Sequence, residues 1–436
     1  MPNIVNVVVT QQVASAPSQL QQTGAFVSQG GTTLSSGSTQ LLTQLSDLTS
    51  ILRSSSAIAS ATWTGGTVTV TTSTAHGVPS GDTIQGIIAG VTVSGSTTNG
   101  YNGTFAITST GTNTLTYSVV SNPGTAVTTS AFFTVEDVSE LVAMATTFFA
   151  QGSTVPVYVL ELGVDTVTNG ITALETYIAN PTIKFYSYLL PKAWDVAGAQ
   201  TMAKMYTGTT AQVYFYVSST LATYSGWAGI KSALVTLPSP SAPTTEFSAA
   251  AIFWASLAYN PSVSNLAHPF EYTYVYAVTP YVLTNAQQTT LLAAGVNWVG
   301  TGAQGGISNT LIMGGTFMDL NPFNYWYCVD WLSINVAQAL SAAIINGSNL
   351  PTNPLYYNQA GINTLQKVAQ ATVNNGISFG LILSPATVAA VPFTTYVAQH
   401  PGDYSTGTYN GLSLTFVPLR GFSSITIYLT ASNIPV

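Results

Sequence analysis

Between Val155 and Leu237 the chain reads VPVYVL (155–160), IKFYSYLL (183–190), QVYFYV (212–217) and ALVTL (233–237). Each run is apolar on both faces, which is how a strand reads when it is covered on two sides. Stretches of helical character near 136–150, 166–180, 194–207 and 219–231 alternate with these runs. Strands that alternate with helices predict a mostly parallel sheet under covering helices, an α/β arrangement that continues through Tyr272–Val278 and Val296–Val299.

Upstream, residues 3–13 (NIVNVVVTQQV) form a β-branched run, so Ile4, Val5, Val7, Val8 and Val9 predict a strand. Residues 14–38 are dominated by Ser, Gln, Gly and Thr and read as a tether. Leu41, Leu42, Leu45, Leu48, Ile51 and Leu52 recur at helical spacing and predict an amphipathic helix over Thr39–Ile58. From about Trp63 to Ala131 the chain turns to Thr, Ser, Gly and Val, with turn clusters such as Gly65-Gly66 and Asn122-Pro123-Gly124. Short alternating strands with frequent turns predict a small β-sandwich or barrel inserted in the main fold.

Downstream, an aromatic segment (Phe323, Tyr325, Trp326, Tyr327, Trp331) leads into a long helix to about Ile345, and a second helix covers Ile362–Val373. Strands are expected at Ile377–Leu383, Thr394–Ala398, Leu412–Val417 and Ser424–Leu429. In the last, Ile425, Ile427 and Leu429 alternate with Thr426, Tyr428 and Thr430, so both ends of the chain read as strands.

The charge content narrows the function classes. Only 5% of the 436 residues are charged while 46% are apolar, so the exterior must be satisfied by Ser, Thr, Asn, Gln or other subunits. Such a surface lacks the repulsion that keeps monomers apart, and self-association is expected. Seven basic against 14 acidic residues, with no basic stripe, exclude a phosphate-tracking surface, so no nucleic acid is expected as a partner. The longest apolar run, Ala249–Tyr259, is too short to span a bilayer, and no membrane insertion is expected. The first residues show no basic n-region or cleavage site, which predicts folding in a cytoplasm. The single Cys328 reads as a buried, inert thiol.

Catalytic and ligand motifs fail on context. Gly376-Ile-Ser378-Phe-Gly380 matches G-x-S-x-G, but it follows a helix, and the downstream His400 precedes Asp403 instead of following an acid. Gly300-Thr-Gly302-Ala-Gln-Gly305 matches G-x-G-x-x-G without the helix that a dinucleotide site needs, so a loop is expected. His76, His268 and His400 are dispersed, so neither a metal nor a cofactor is expected. The pair Glu136-Asp137 reads as favourable charge at a helix N-terminus.

The C-terminal third carries a resemblance. Leu283-Thr-Asn-Ala-Gln287, Gly295-Val-Asn297, and Asn324-Tyr-Trp-Tyr-Cys-Val329 before a long helix, then Asn375-Gly-Ile377, resemble the sheath proteins of contractile bacteriophage tails. A basic residue usual in that family near the start of the long helix is replaced here by Asp330-Trp331-Leu332. The inserted segment, through Ala75-His-Gly77, Gly81-Asp82 and Asn102-Gly-Thr-Phe105, is similar to a small β domain of phage structural proteins, which decorates the outer surface or binds a host glycan. The resemblance implies a multidomain α+β sheath fold: an arm and tether at 1–38, an α/β domain at 39–62 plus 132–282, an inserted β domain at 63–131, a C-terminal core at 283–423 and an arm at 424–436. It implies a virion tail protein, assembled in the bacterial cytoplasm and not an enzyme. Its partners would be copies of itself, a tail tube protein, and baseplate and tail terminator proteins. The terminal strands would add to sheets of neighbouring subunits. The rival readings are a non-contractile tail or fibre protein and a serine hydrolase using Ser378.

Overall fold

The computed structural model describes residues 19–94, 100–152, 155–263, 269–302, 309–349 and 354–421. The expected terminal strands (Ile4, Val5, Val7, Val8, Val9 and Ile425, Ile427, Tyr428, Leu429) lie outside these residues, as do His268 and Gly305. The chain divides into a larger unit, 19–259 with 273–321, and a smaller one built from 260–272 and the residues from 322 onward.

The larger unit opens with β1 (Gly24–Ser28), β2 (Thr39–Leu42) and the short α1 (Leu45–Thr49). Eight strands follow: β3 (Ser56–Thr64), β4 (Thr67–Thr72), β5 (Thr83–Ala89), β6 (Thr92–Val93), β7 (Gly103–Gly111), β8 (Thr114–Ser118), β9 (Ala126–Val127) and β10 (Phe132–Val135). Then come α2 (Glu136–Phe149), β11 (Val157–Glu161), α3 (Val167–Ala179), β12 (Ser187–Leu189), α4 (Ala197–Lys204), β13 (Tyr214–Ser218), β14 (Ala233–Leu237) and α5 (Ser248–Ala258). The unit ends with α6 (Asn285–Ala293), β15 (Asn297–Thr301) and β16 (Thr310–Met313).

Eight of these strands form one sheet, in the order β16-β15-β14-β13-β12-β1-β11-β2. The six inner strands are parallel and the two edges antiparallel. β1, β13 and β14 are buried at every residue, so their apolar runs serve two faces. On one face Ala25, Val27, Leu160, Phe215 and Val235 pack with Leu174, Trp194 and Met202. On the other, Phe26 meets Phe148 of α2 and Phe253 of α5 at centroid distances of 5.4 and 6.0 Å. The helix–strand alternation expected for this region is met, except that 219–231 holds only a 3-10 turn at Tyr224–Trp227 and Tyr272–Val278 contributes a single bridge, Tyr274 with Leu311, and there are two corrections to its beginning. Gly24–Ser28, grouped by composition with the tether, is a central strand, because pairing with β11 and β12 decides its conformation. The leucine spacing of Thr39–Ile58 produces no long helix. Leu41 and Leu42 sit on β2 opposite Tyr158 and Val157, and a capping box from Gln44 and Asp47 confines α1 to 5 residues.

The inserted segment is a closed six-stranded barrel, β10-β3-β4-β8-β7-β5, filled by Val68, Val70, Ile107, Leu115 and Phe133. Closure leaves no open edge. β10 runs without a linker into α2.

The smaller unit contains α7 (Phe323–Asn349), α8 (Gln359–Ser378), β17 (Thr387–Ala390), α9 (Phe393–Gln399), α10 (Pro401–Thr406) and β18 (Leu412–Thr415). Its core joins Cys328, Trp331 and Leu332 of α7 to Ala369 and Val373 of α8, with Ile382 and Val388 above them. The strand expected at Thr394–Ala398 is α9, where only Tyr396 is buried, a spacing that suits one helical face. The strand expected at Ile377–Leu383 is the end of α8 and a turn, with Ile382 bridging Pro418. The expectation that no stretch could cross a membrane is also corrected. α7, at 27 residues, is long and apolar enough by length and composition, although its first half is core that carries the buried Asp330.

Candidate functional site

In chain order the first five parallel strands lie as second, first, third, fourth and fifth, so the order in which strands are added reverses between β1 and β12. Doubly wound sheets take ligands beyond the carboxyl ends of their strands at this point. Here the loop that leaves β1 is bonded to the protein's own side chains. Asp137 Oδ2 accepts from Gln29 N (2.9 Å), Gly31 N (3.1 Å) and Ser28 Oγ (2.9 Å). Glu161 Oε1 accepts from Gly30 N and Gly163 N, both at 2.7 Å. Its Oε2 accepts from Thr32 N (3.0 Å), Thr32 Oγ1 (2.7 Å) and Ser28 Oγ (2.7 Å). Gly30 sits at φ +93°, and a Cβ on Gly31 would lie 2.5 Å from Asp137 Oδ2, so the loop needs both glycines.

The backbone N–H groups that would cradle a phosphate in such a fold therefore already face two carboxylates. Arg53 Nε donates to Gly30 O at 2.7 Å, and Gln29 ties the loop to Asp165 O and Trp194 Nε1. Burial, followed by the charges of Glu140 and Glu161, holds the Asp137 carboxyl well above its ordinary range. Glu140, one turn along α2, accepts from Lys192 N at 2.8 Å and is pushed up to about 7 by burial. A cavity of about 110 Å³ separates this edge from the barrel residues Thr83–Gln85, with Glu136, Asp137 and Glu140 on its wall. The chemistry of the arrangement is loop fixation. Glu136 and Asp137 do stand in the first turn of α2, as expected. The second acid, Glu161, at the end of a strand apolar on both faces, was the missed signal.

The other singled-out residues have structural partners. Ser378 Oγ donates to Asn375 O at 2.9 Å in the last turn of α8, and Gly380 (φ +74°) follows the helix end. The motif is a helix terminus and not a strand-to-helix elbow. Gly376 serves packing, since a Cβ there would lie 3.2 Å from Trp331. His76 bonds Gly111 O through Nε2 (2.8 Å) and accepts from Val78 N at Nδ1 (3.1 Å). Tyr396, against which His400 packs, donates to Asp403 at 2.6 Å. Cys328 is buried, and burial pushes its thiol up to about 12. Gly300 lies in β15, and residues 303–308 fall outside the described segments. Among the described residues no three His, Cys, Asp or Glu side chains gather as a metal set.

The smaller unit presents a different kind of site. β17 and β18 pair antiparallel, from Thr387 with Thr415 to Ala390 with Leu412, and among the described residues neither has a second strand beside it. Val388, Leu412, Leu414 and Phe416 turn toward the α7–α8 core, while Ser413, Thr415 and Val417 are exposed. A two-stranded sheet is marginal by itself and gains from further strands.

No family model and no curated protein matches the sequence. Solved structures do match its fold. A chain of the anti-feeding prophage helical sheath in its contracted state aligns over 99% of this chain and 99% of that one, with a TM-score of 0.54 at 10% identity. The fold is that of a sheath protein. Chains from the anti-feeding prophage baseplate match likewise: one in the six-fold symmetrised structure has a TM-score of 0.54 at 12% identity, covering 99% of this chain and 100% of that one. Another, from the contracted baseplate, has a TM-score of 0.51 at 10% identity, covering 99% and 98%. The sheath fold thus spans both units, and the expected multidomain α+β class is met.

Proposed function

We propose that the chain is a structural subunit of a contractile tail sheath. It polymerises helically around an inner tube through exchange of its terminal strands and contracts to drive that tube through a host envelope. The observation that carries this reading is the pairing of a sheath fold over 99% of the chain with a two-strand sheet beside which no further strand lies among the described residues. The strand-like segments at 4–9 and 425–429 supply main-chain donors and acceptors for strand addition. Head-to-tail exchange of this kind does not close on itself and generates a filament. The low charge of the chain supports burial against copies of itself. Its partners are other copies, a tail tube protein, and baseplate and tail terminator proteins, and it resides in the virion tail after assembly in the host cytoplasm.

Contraction needs no nucleotide in this reading. At ~25 cal/mol per Å², a few hundred Å² of additional apolar burial per subunit provides on the order of several kcal/mol before ordering costs. Negative-stain electron microscopy of the purified protein tests the reading. Hollow striated tubes are expected from the full chain and none from chains lacking 1–13 or 424–436. Tubes of normal length from either truncation contradict strand exchange.

A further inference from the structure

The inserted barrel meets the α/β part of the larger unit at a small seat. It hangs on two neighbouring chain connections, since Phe133 of β10 pairs with Ser56 at the start of β3 and β10 runs directly into α2. Part of the seat is apolar, with Val138 of α2 and Val164 packed against the barrel core. Another part is the cavity of about 110 Å³ between α2 and Thr83–Gln85 of β5. Arg53 spans the joint: its Nε donates to Gly30 O, and a Cβ on the barrel residue Gly77 would lie 2.7 Å from its Nη1.

The walls of this cavity are unlike in charge. Glu136, Asp137 and Glu140 of α2 and Asp165 of the loop after β11 line it, whereas the barrel contributes Thr83, Ile84 and Gln85. Glu161 adds a further acid, sharing the Ser28 hydroxyl with Asp137. The nearby cation is Lys192, whose N–H donates to Glu140 but whose Nζ lies over the Phe247 ring, 5.2 Å from its centroid. Asp137 is 7% exposed, and among the described residues its Oδ1 has no hydrogen-bond partner, while its Oδ2 accepts three bonds from the loop after β1. Glu136 and Glu140 stand four residues apart on one helix, so they repel when both are ionised. Burial raises both carboxyls against the opposing effect of Lys192.

We propose that protons hold the barrel in its seat: neutral Glu136 and Glu140 let the cavity close on the barrel wall, and their ionisation draws in water and frees the barrel to swing about its two connections. Val138 and Val164 supply the attraction that the carboxylates oppose. In the released form the two glutamates are hydrated and return toward their ordinary range, so the seated form binds more protons. Seating is therefore complete below about pH 4.5 and is lost as pH rises through 7. For Glu140 the return from about 7 to 4.5 bounds the change in the seating equilibrium at about 300-fold. Asp137 stays in place in both forms, because Ser28, Gln29 and Gly31 hold its Oδ2. This device is independent of strand exchange.

Spin-label distances in the full, dispersed chain test this, with labels at Thr64→Cys on the far end of β3 and Thr172→Cys on α3, both exposed, and the buried Cys328 as a silent background. One narrow distance is expected at pH 5, and a second, broader one is expected to grow as pH passes 7 and to be well populated at pH 8.5. Glu136→Gln combined with Glu140→Gln is expected to keep the narrow distance at both pH values. So is Gln85→Lys, which sets a cation across the cavity from the carboxylates. A single unchanged distance in the parent chain at pH 5 and 8.5 overturns the proposal. A second distance that survives both sets of substitutions assigns the motion to other groups and overturns it too. Loss of hydrogen-exchange protection inside β4 and β8 at pH 8.5 would mean that the barrel unfolds instead of swinging, which also overturns it.

Discussion

The large sheet is finished within its own unit, whereas among the described residues the small sheet is not. At the reversal point of the eight-stranded sheet, Asp137 and Glu161 consume the N–H groups of residues 29–32, and the edge strand β16 is bridged by the extended segment at Thr273–Val275. In the smaller unit, amides of α8 finish one edge of the β17–β18 pair and leave the other with outward-facing backbone groups. A chain with 14 acids among 436 residues uses several of them to fix loops instead of solvating a surface. What is polar and unfinished among the described residues is therefore backbone, which the proposed strand exchange would complete with another strand.

Substitutions that attack the finished edge should act on folding, and those that attack the unfinished one on assembly. The largest effect is expected from Glu161→Ala, which strips several buried donors of their acceptor and should cost about 4 kcal/mol. Chemical unfolding of dispersed protein measures it, and a loss below about 1 kcal/mol would mean that water replaces the carboxylate. Gly376→Leu, crowded against Trp331 where α8 crosses α7, should cost about 2 kcal/mol by overpacking, read as a lower melting temperature.

Glu140→Gln separates charge from shape at the junction with the barrel. The carboxyl is raised from 4.5 to about 7 in the folded protein, so its stabilisation is complete below about pH 4.5 and is lost as pH rises through 7. The variant should be more stable than the parent by about 1 kcal/mol at pH 8, after allowing for partial exposure and the nearby Lys192, and equal to it near pH 4. Thermal melts across this range provide the check. The smallest effect on folding, below about 1 kcal/mol, is expected from the double substitution Gln366→Ala and Gln370→Ala, since Ala369 and Val373 still hold α8 in the core. Unsealing β17 should instead broaden the assemblies into irregular aggregates visible in the microscope.

The sequence exposes those parts of the fold whose signal is local. β11 to β14 are legible because a strand covered on both faces must be apolar throughout, and the barrel because its turns recur. β1 is not legible, since GAFVS is short and set among Ser, Gln and Gly, and its strand state comes from partners more than 100 residues away. The leucines of 41–52 satisfy a helical period by coincidence, and long-range pairing overrides it. The carboxylate knot joins Ser28, Asp137 and Glu161, which no spacing rule could assemble. The sealed edge of β17 was hidden for the same reason, because Gln366 and Gln370 look like solvent-facing helix residues until β17 is laid beside them.

Amide hydrogen exchange, compared between dispersed and assembled protein, tests strand addition most directly. The account predicts that the N–H groups of Leu412, Leu414 and Phe416 exchange fast when dispersed and become strongly protected on assembly, while Val388 N–H, held by Gln370, is protected in both states. Unchanged fast exchange at Leu414 in well-formed assemblies would contradict it.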